Sequence, residues 1–463
     1  MTTVILAAGL VMIVVLATAI VRPALRLPAI AFGLLAVPGN VDDLLPQLAL
    51  DPHPIRDALA PVVTSMDLLI LWAVLLTVRE ARGLGRIGRP LVLVAIVAAV
   101  LATLAVAAAA AIGVPAGALV RGLILWWRIV ALIYLAFALR AHLEDGRLLG
   151  LAIVAGGVIL LGNGVYTTVT GDLDRFTAKT FGRNGLAVAL TVVTVIGTGV
   201  AAALWSRAEA ARDRWLAIGA ASIAALCLFG MSATGTRIAF MMLLLAGVAA
   251  LVLYPGRLGR RAIPGIALTV AVGVAVLAGS VLLTSAGGRT LSVVTDLDTT
   301  VDVVTDPGGT PTETEIRSRG EFWDLAVRMA LDDPLTGVGP FQWNVVRYLM
   351  DPSGPVVVAD AHQTYLQVAA EYGLPSLALY LLLLVAIVSA MVPSLRSIRE
   401  RERIGWAGIG IVVGSGIIPI AAMTNSHIIS PRNGPTEWLL LASAAAICVA
   451  AREAAPAAAA EPG

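Results

Sequence analysis

"PLVLVAIVAAVLATLAVAAAAAI", residues 90–112, is an apolar run without a single charged side chain. A helix crosses roughly 30 Å of hydrocarbon with about 17–25 apolar residues, because each residue advances it by about 1.5 Å. The run is long enough for one crossing. Similar runs recur from one end of the chain to the other. The stretch therefore predicts the architecture of the whole chain, a bundle of transmembrane helices.

The composition supports the same prediction. Hydrophobic residues make up 59% of the chain and charged residues 13%, and the mean hydropathy is +0.90. These values exclude an ordinary soluble globular protein. A membrane β-barrel would need alternating segments of about ten residues, which the sequence lacks, so helices must satisfy the backbone in lipid. We expect an all-α, polytopic bundle with no nucleic-acid partner, and the net charge of +2 by itself says little about partners.

Apolar runs bounded by charged residues, glycine or proline give the candidate spans. The second and the last are short enough to be half-buried or re-entrant, so the sequence predicts twelve or thirteen spans. In chain order the candidates are 3–21, 27–39, 60–78, 90–112, 118–139, 148–166, 185–204, 215–231, 236–254, 263–283, 364–392, 404–423 and 437–451.

The arginines predict the orientation of these spans. If all candidates cross the membrane, the arginine-rich loops fall on one side, which the positive-inside rule identifies as the cytoplasm. The N-terminus is then outside and the C-terminus cytoplasmic. The arginines concerned are Arg22, Arg26, Arg79, Arg82, Arg86, Arg89, Arg140, Arg147, Arg207, Arg212, Arg214, Arg257, Arg260, Arg261 and those of "RSIRERER" at 396–403.

This orientation divides the chain into three parts. Residues 1–283 form an N-terminal transmembrane bundle of about ten spans, residues 284–363 form an extracytoplasmic loop, and residues 364–463 form the C-terminal transmembrane helices with a short cytoplasmic tail. The loop begins with a stretch rich in threonine, aspartate and glycine at 295–315, which is typical of a mobile segment. It is the one hydrophilic region large enough to shape a site.

An amphipathic helix follows within this loop and stops at Pro334. Its apolar side chains recur at helical spacing, so we expect it to lie on the bundle or at the bilayer interface. They are Phe322, Leu325, Ala326, Met329 and Ala330.

Redox and metal chemistry are poorly supported. Cys227 and Cys448 both fall inside apolar spans, so we interpret them as packing residues. The two "DLD" sequences, Asp172–Asp174 and Asp296–Asp298, have no histidine at ligand spacing. We expect no metal and no cofactor.

Three polar residues from distant parts of the chain reach the outer side in this topology: Arg237, Arg319 and His362. An arginine just inside a span is costly unless it binds an anion or snorkels to the headgroups. Arg319 begins an amphipathic helix, where the helix dipole disfavours a cation unless an anion is near. A neutral imidazole can accept a proton from a hydroxyl, although an interfacial histidine without a task is equally compatible with the sequence.

Two further groups of arginines need a partner. Arg175, Lys179 and Arg183 lie outside, where the positive-inside rule expects few cations. A diphosphate is an anion that guanidinium groups bind bidentately, and a solvated loop balanced by Asp172 and Asp174 is the alternative. The other of these two groups consists of three charged residues inside the membrane, Arg121, Arg128 and Asp67. We favour a structural ion pair for them, and a wall of a headgroup cavity is the alternative.

The order of these motifs resembles the O-antigen ligase and O-antigen polymerase superfamily of bacterial envelope glycan enzymes. The resemblance rests on "TGTRIAF" at 234–240, "RSRGEFWDLAVRMALDDPLTGVGPFQW" at 317–343 and "AHQTYLQVAAEYGLPSLALYLLLLV" at 361–385. The stretch "RFTAKTFGRNGLAVAL" at 175–190 is also similar. The likeness covers roughly residues 170–390, and the first part of the chain is similar only as hydrophobic spans.

The resemblance implies a glycosyltransferase of the bacterial inner membrane. Such enzymes move a glycan from an undecaprenyl-diphosphate-type carrier to an acceptor hydroxyl on a glycan or glycolipid, on the outer face and without metal. It implies that Arg237 and Arg319 hold the diphosphate and that His362 is the base. The family usually has asparagine where this chain has Gln363, and serine is common at the position of Thr236.

The sequence also suggests residues that contact the substrate. Tyr365, one helical turn after His362, can stack on a sugar or orient the imidazole, and packing is an equally good interpretation. We take the candidate substrate contacts to be Arg175, Lys179, Arg183, Arg317, Tyr365 and Arg128.

A transporter or flippase of lipid-linked glycans is the alternative function. Transporters place their essential charges near the middle of the membrane on broken helices, whereas this chain concentrates charges at the outer end and in one loop. The sequence does not separate a ligase from a polymerase, because both use the same donor and differ in the acceptor.

Overall fold

The described part of the chain is helical. The computed structural model describes residues 2–37, 64–143, 146–170, 182–206, 211–234, 236–253, 313–350, 361–423 and 434–454, and these contain no β-strand. Eight of their helices are long and apolar enough to cross a membrane, and three shorter apolar helices accompany them. The prediction of an all-α, polytopic bundle is confirmed.

The helices coincide closely with the predicted spans. The predicted span 263–283 lies outside the described residues, so the total number of spans stays a prediction. In chain order the α-helices are α1 Thr2–Ile20, α2 Pro23–Ala36, α3 Ser65–Thr77, α4 Gly85–Ala111, α5 Ala116–Ala138, α6 Arg147–Thr170, α7 Gly182–Ser206, α8 Ala211–Ala233, α9 Arg237–Leu253, α10 Glu313–Asp332, α11 Trp343–Met350, α12 Thr364–Arg396, α13 Ile398–Gly416, α14 Ile418–Ala421 and α15 Gly434–Glu453.

Helices α7 and α15 lie at the centre of the bundle. The most apolar part of α15 is 94% buried and that of α7 is 83% buried, against 39% for α12. Both central helices are rich in alanine and other small residues. Small side chains let neighbouring helices approach closely, which is how helices pack where lipid is as apolar as the core. The last helix, α15, which the sequence predicted to be either a span or re-entrant, is long and apolar enough to cross a membrane.

The predicted amphipathic helix is present as α10. Phe322, Ala326 and Met329 are buried on one of its faces. They pack with Trp343 of α11 and with the start of α12 to form a small core, separate from the main core of the bundle. The apolar spacing of the sequence therefore identified both the helix and its buried face.

The long helix α12 is broken, which the sequence did not predict. Gly373 has φ 81° and ψ 167°, so Thr364–Tyr372 forms a short helix of its own before the membrane-spanning part. The break gives room to the turn at 334–341: Pro334 O accepts from Leu374 N at 2.8 Å, and Val338 N donates to Ala370 O at 2.8 Å. The predicted span 364–392 falls on the candidate membrane helix Thr364–Arg396, and a glycine with positive φ divides this helix at residue 373.

Candidate functional site

Helix α10 lies directly against His362. The rings of Phe322 and His362 are 6.2 Å apart between centroids, and Phe322 also makes an edge contact with Trp343 at 5.6 Å. Arg319 is the third residue before Phe322 on α10. The structure thus places α10, the helix that carries Arg319, against His362.

The backbone of His362 is held in an unusual conformation. Its φ is +52°, a region that residues other than glycine seldom adopt. On one side, Ala361 N donates to Gln367 Oε1 at 2.7 Å. On the other, Gln363 caps α12 by accepting from Leu366 N at 2.5 Å, and Thr364 N donates to Ala422 O at 2.9 Å. Hydrogen bonds on both sides of His362 therefore fix where its half-buried side chain begins.

A second contact joins the starts of α7 and α9. Thr236, which immediately precedes α9, is buried, and its hydroxyl donates to Asn184 Oδ1 at 3.5 Å. Arg237 is the first residue of α9, and Arg183 is the second residue of α7. The helix starts that carry these two predicted cations are therefore neighbours. Arg175 and Lys179 lie outside the described residues.

The short helix α14 connects these contacts. Tyr365 donates its hydroxyl hydrogen to Pro419 O in α14, at 2.7 Å. Ala422, the residue after α14, accepts from Thr364 N at the start of α12. Helix α14 also contacts α9. Since the hydroxyl of Tyr365 bonds a backbone carbonyl and its ring contacts Tyr380 at 6.1 Å, the structure favours the packing interpretation of Tyr365.

Arg128 forms the ion pair that the sequence favoured. Its Nε and Nη2 donate to the two carboxylate oxygens of Asp67, so the pair is bidentate. Asp67 also completes a capping box with Thr64 at the start of α3, and Arg128 is buried. This pairing favours a structural role for Arg128 over the substrate contact considered from the sequence. Arg317, the other predicted contact on α10, lies two residues before Arg319 in the sequence.

A buried carboxylate in this region escaped the sequence reasoning. Glu371 is 3% exposed, and its Oε1 accepts from Gln367 Nε2 at 2.8 Å and from Trp343 N at 3.2 Å. Arg347, one turn beyond Trp343 on α11, is also buried, at 1% exposed. A signal was present in "HQTYLQVAAEYG", because Gln367 and Glu371 are spaced to share one helix face.

The fold and these contacts together define a polytopic helical membrane protein in which α10 packs against the start of α12 at His362. Residues 222–381 match the family model described as O-antigen ligase. The resemblance predicted from the sequence is thereby confirmed, over a range that contains Arg237, Arg319 and His362. The similar stretch at 175–190 lies outside the match. No curated protein matches the chain significantly.

Proposed function

We propose that the protein is an inverting glycosyltransferase that moves a glycan from a polyprenyl-diphosphate carrier to an acceptor hydroxyl at the outer face of the bacterial inner membrane. The contact between Phe322 and His362 carries the proposal, because it brings the helix of Arg319 to the histidine. The family match, which spans all three predicted catalytic residues, supports it.

In this proposal His362 is the base. It takes the proton of the acceptor hydroxyl as the oxygen forms a bond to the anomeric carbon of the donor. The bond between that carbon and the diphosphate breaks, and the lipid diphosphate leaves with the electron pair. Attack from the face opposite the leaving group inverts the configuration.

Arg237 and Arg319 hold the leaving group in this mechanism. Guanidinium groups bind phosphate oxygens bidentately and stabilise the charge that builds on the departing diphosphate. In this proposal Arg183, Arg175 and Lys179 also bind the diphosphate, and no step requires a metal. The acceptor is a glycan or glycolipid, in keeping with either a ligase or a polymerase.

The test is glycan transfer by the purified protein, with a polyprenyl-diphosphate-linked glycan as donor. We expect Arg237→Ala and Arg319→Ala each to lower kcat on the order of 10²- to 10³-fold, as for donors that stabilise transition-state charge. Arg328→Ala is the matched control on α10, because Arg328 is exposed and paired with Asp324 at 2.5 Å on the helix surface. It should leave transfer unchanged.

His362→Ala separates an enzyme from a transporter. We expect it to abolish transfer while the protein still binds the lipid diphosphate. Transfer that persists in His362→Ala would refute the base. Carrier translocation without transfer by the wild-type protein would favour a flippase.

A further inference from the structure

We propose that Gln367 and Glu371 are positioning residues that set the place of the His362 imidazole through hydrogen bonds, and this inference rests on the proposed function. Neither residue is a candidate for contact with substrate. Both are buried, at 4% and 3% exposed, on the inner face of the short first segment of α12.

The hydrogen bonds form one chain from α11 to Ala361, the residue before the histidine. Trp343 N donates to Glu371 Oε1, Gln367 Nε2 donates to the same oxygen, and Gln367 Oε1 accepts from Ala361 N. Gln367 thus uses its donor on the carboxylate and its acceptor on the residue before His362. The carboxylate fixes the orientation of the amide, because only an acceptor at position 371 selects the donor end of Gln367.

This chain of hydrogen bonds is needed because His362 has φ +52°. A residue other than glycine keeps such a backbone conformation only where its surroundings impose it. The hydrogen bond from Ala361 N holds the backbone just before His362. The cap of Gln363 holds only the backbone after His362, at the start of α12. Without the bond from Ala361 N the chain before α12 can relax, and the imidazole would move relative to Phe322 and α10.

The sharpest test reverses the two residues. In Gln367→Glu two carboxylates face each other. Their repulsion moves the side chain at position 367 away from Ala361 N. In the Gln367→Glu/Glu371→Gln double variant the carboxylate at position 367 again accepts from Ala361 N. The amide nitrogen at position 371 donates to that carboxylate, which again fixes the side chain at position 367. Trp343 N loses its acceptor, because it shares a single oxygen of Glu371 with Gln367 in the wild-type protein.

We expect Gln367→Glu to lower kcat on the order of 10- to 100-fold, because bonds to a buried charged group are at stake. Binding of the polyprenyl-diphosphate donor should be unchanged. The double variant should recover part of kcat, because the bond from Ala361 N is restored and the bond from Trp343 N is not. Ser394→Ala is the matched control: it removes a buried bond of 2.7 Å to Cys448 O at the other end of α12. It should leave kcat unchanged.

Three outcomes of these measurements would overturn the inference. The first is wild-type kcat in Gln367→Glu, and the second is a double variant that folds stably without recovery. A parallel fall of kcat, donor binding and melting temperature in Gln367→Glu would show damage to the fold and would also refute positioning.

Hydrogen–deuterium exchange separates this inference from the proposed function. The Ala361 amide should be protected in the wild-type protein, exchange faster in Gln367→Glu and regain protection in the double variant, whether or not glycan is transferred. A wild-type protein that transfers no glycan would refute the proposed function alone. An Ala361 amide that exchanges equally in all variants would refute the positioning.

Discussion

His362 shows how much of the site depends on single backbone positions. It has a positive φ, and its imidazole lies against the ring of Phe322. The next residue, Gln363, supplies a side-chain oxygen to the cap of α12. This cap needs an acceptor within reach of the first-turn amides, and the glutamine side chain provides it.

Gly337 provides the residue-scale prediction for stability. It has φ +67°, and a Cβ there would lie 2.5 Å from Ala370 O. Gly337→Ala should destabilise the protein by about 2 kcal/mol or more, because the strained backbone and the overlap both act. Thermal unfolding in detergent checks this expectation.

Gly219→Ala is the control for that change. Gly219 lies inside α8, and a Cβ there would meet no atom within 4 Å. It should be neutral or slightly stabilising, because alanine is the better helix former. Equal unfolding temperatures for the two variants would contradict the role assigned to the turn at 334–341.

At the scale of elements, α10 has three faces rather than two. Its buried face contacts α12. A second face is exposed and charged, and carries the pair of Arg328 and Asp324. The third is exposed and apolar, with Trp323, Val327 and Leu331 one turn apart. An exposed apolar stripe on a membrane protein fits the bilayer interface, where tryptophan is favoured.

The stripe predicts that α10 touches lipid. The stripe continues into Leu335, which is 74% exposed. The hydrogen bond from Leu374 N to Pro334 O holds this end of α10 next to α12, which also has exposed apolar side chains. In vesicles containing lipids with a fluorescence quencher at the interface, Trp323 should be quenched. The measurement is the loss of quenchable emission in Trp323→Phe.

Trp343→Phe serves as the control for this measurement, because Trp343 is fully buried in the small core. Its removal should leave the quenchable fraction nearly unchanged. Quenching that is the same in Trp323→Phe and the wild-type protein would place the stripe away from lipid.

At the scale of the whole molecule, ion pairs join segments that are far apart in sequence. Arg26 binds Glu80 at 2.7 Å, and Arg140 binds Glu453 at 2.7 Å. The arginine distribution assigns both pairs to the cytoplasmic end of the bundle, and this orientation stays a prediction.

The orientation itself can be tested with single cysteines. The two native cysteines are buried, so they should give little background labelling. A membrane-impermeant maleimide applied to intact spheroplasts should label Asp332→Cys on α10. It should label Arg214→Cys on α8 only after permeabilisation, since both positions are exposed. The reverse pattern would invert the orientation.

The sequence by itself determined the spans, the amphipathic helix and the motifs of the family match. Hydrophobic length and helical spacing are local properties, and they survive packing because lipid leaves the backbone no alternative to helix. The favoured pair of Arg128 and Asp67 was also predictable, because two opposite charges in a membrane must find each other.

Only the tertiary structure decided how the site is held. The break at Gly373, the turn that fills it and the chain of bonds from Trp343 through Glu371 and Gln367 to Ala361 join segments that are far apart in sequence. Such contacts depend on which helix faces meet, and the spacing of apolar residues shows a face without naming its partner. The physical reason is that packing, not local propensity, selects the neighbours of a buried polar group.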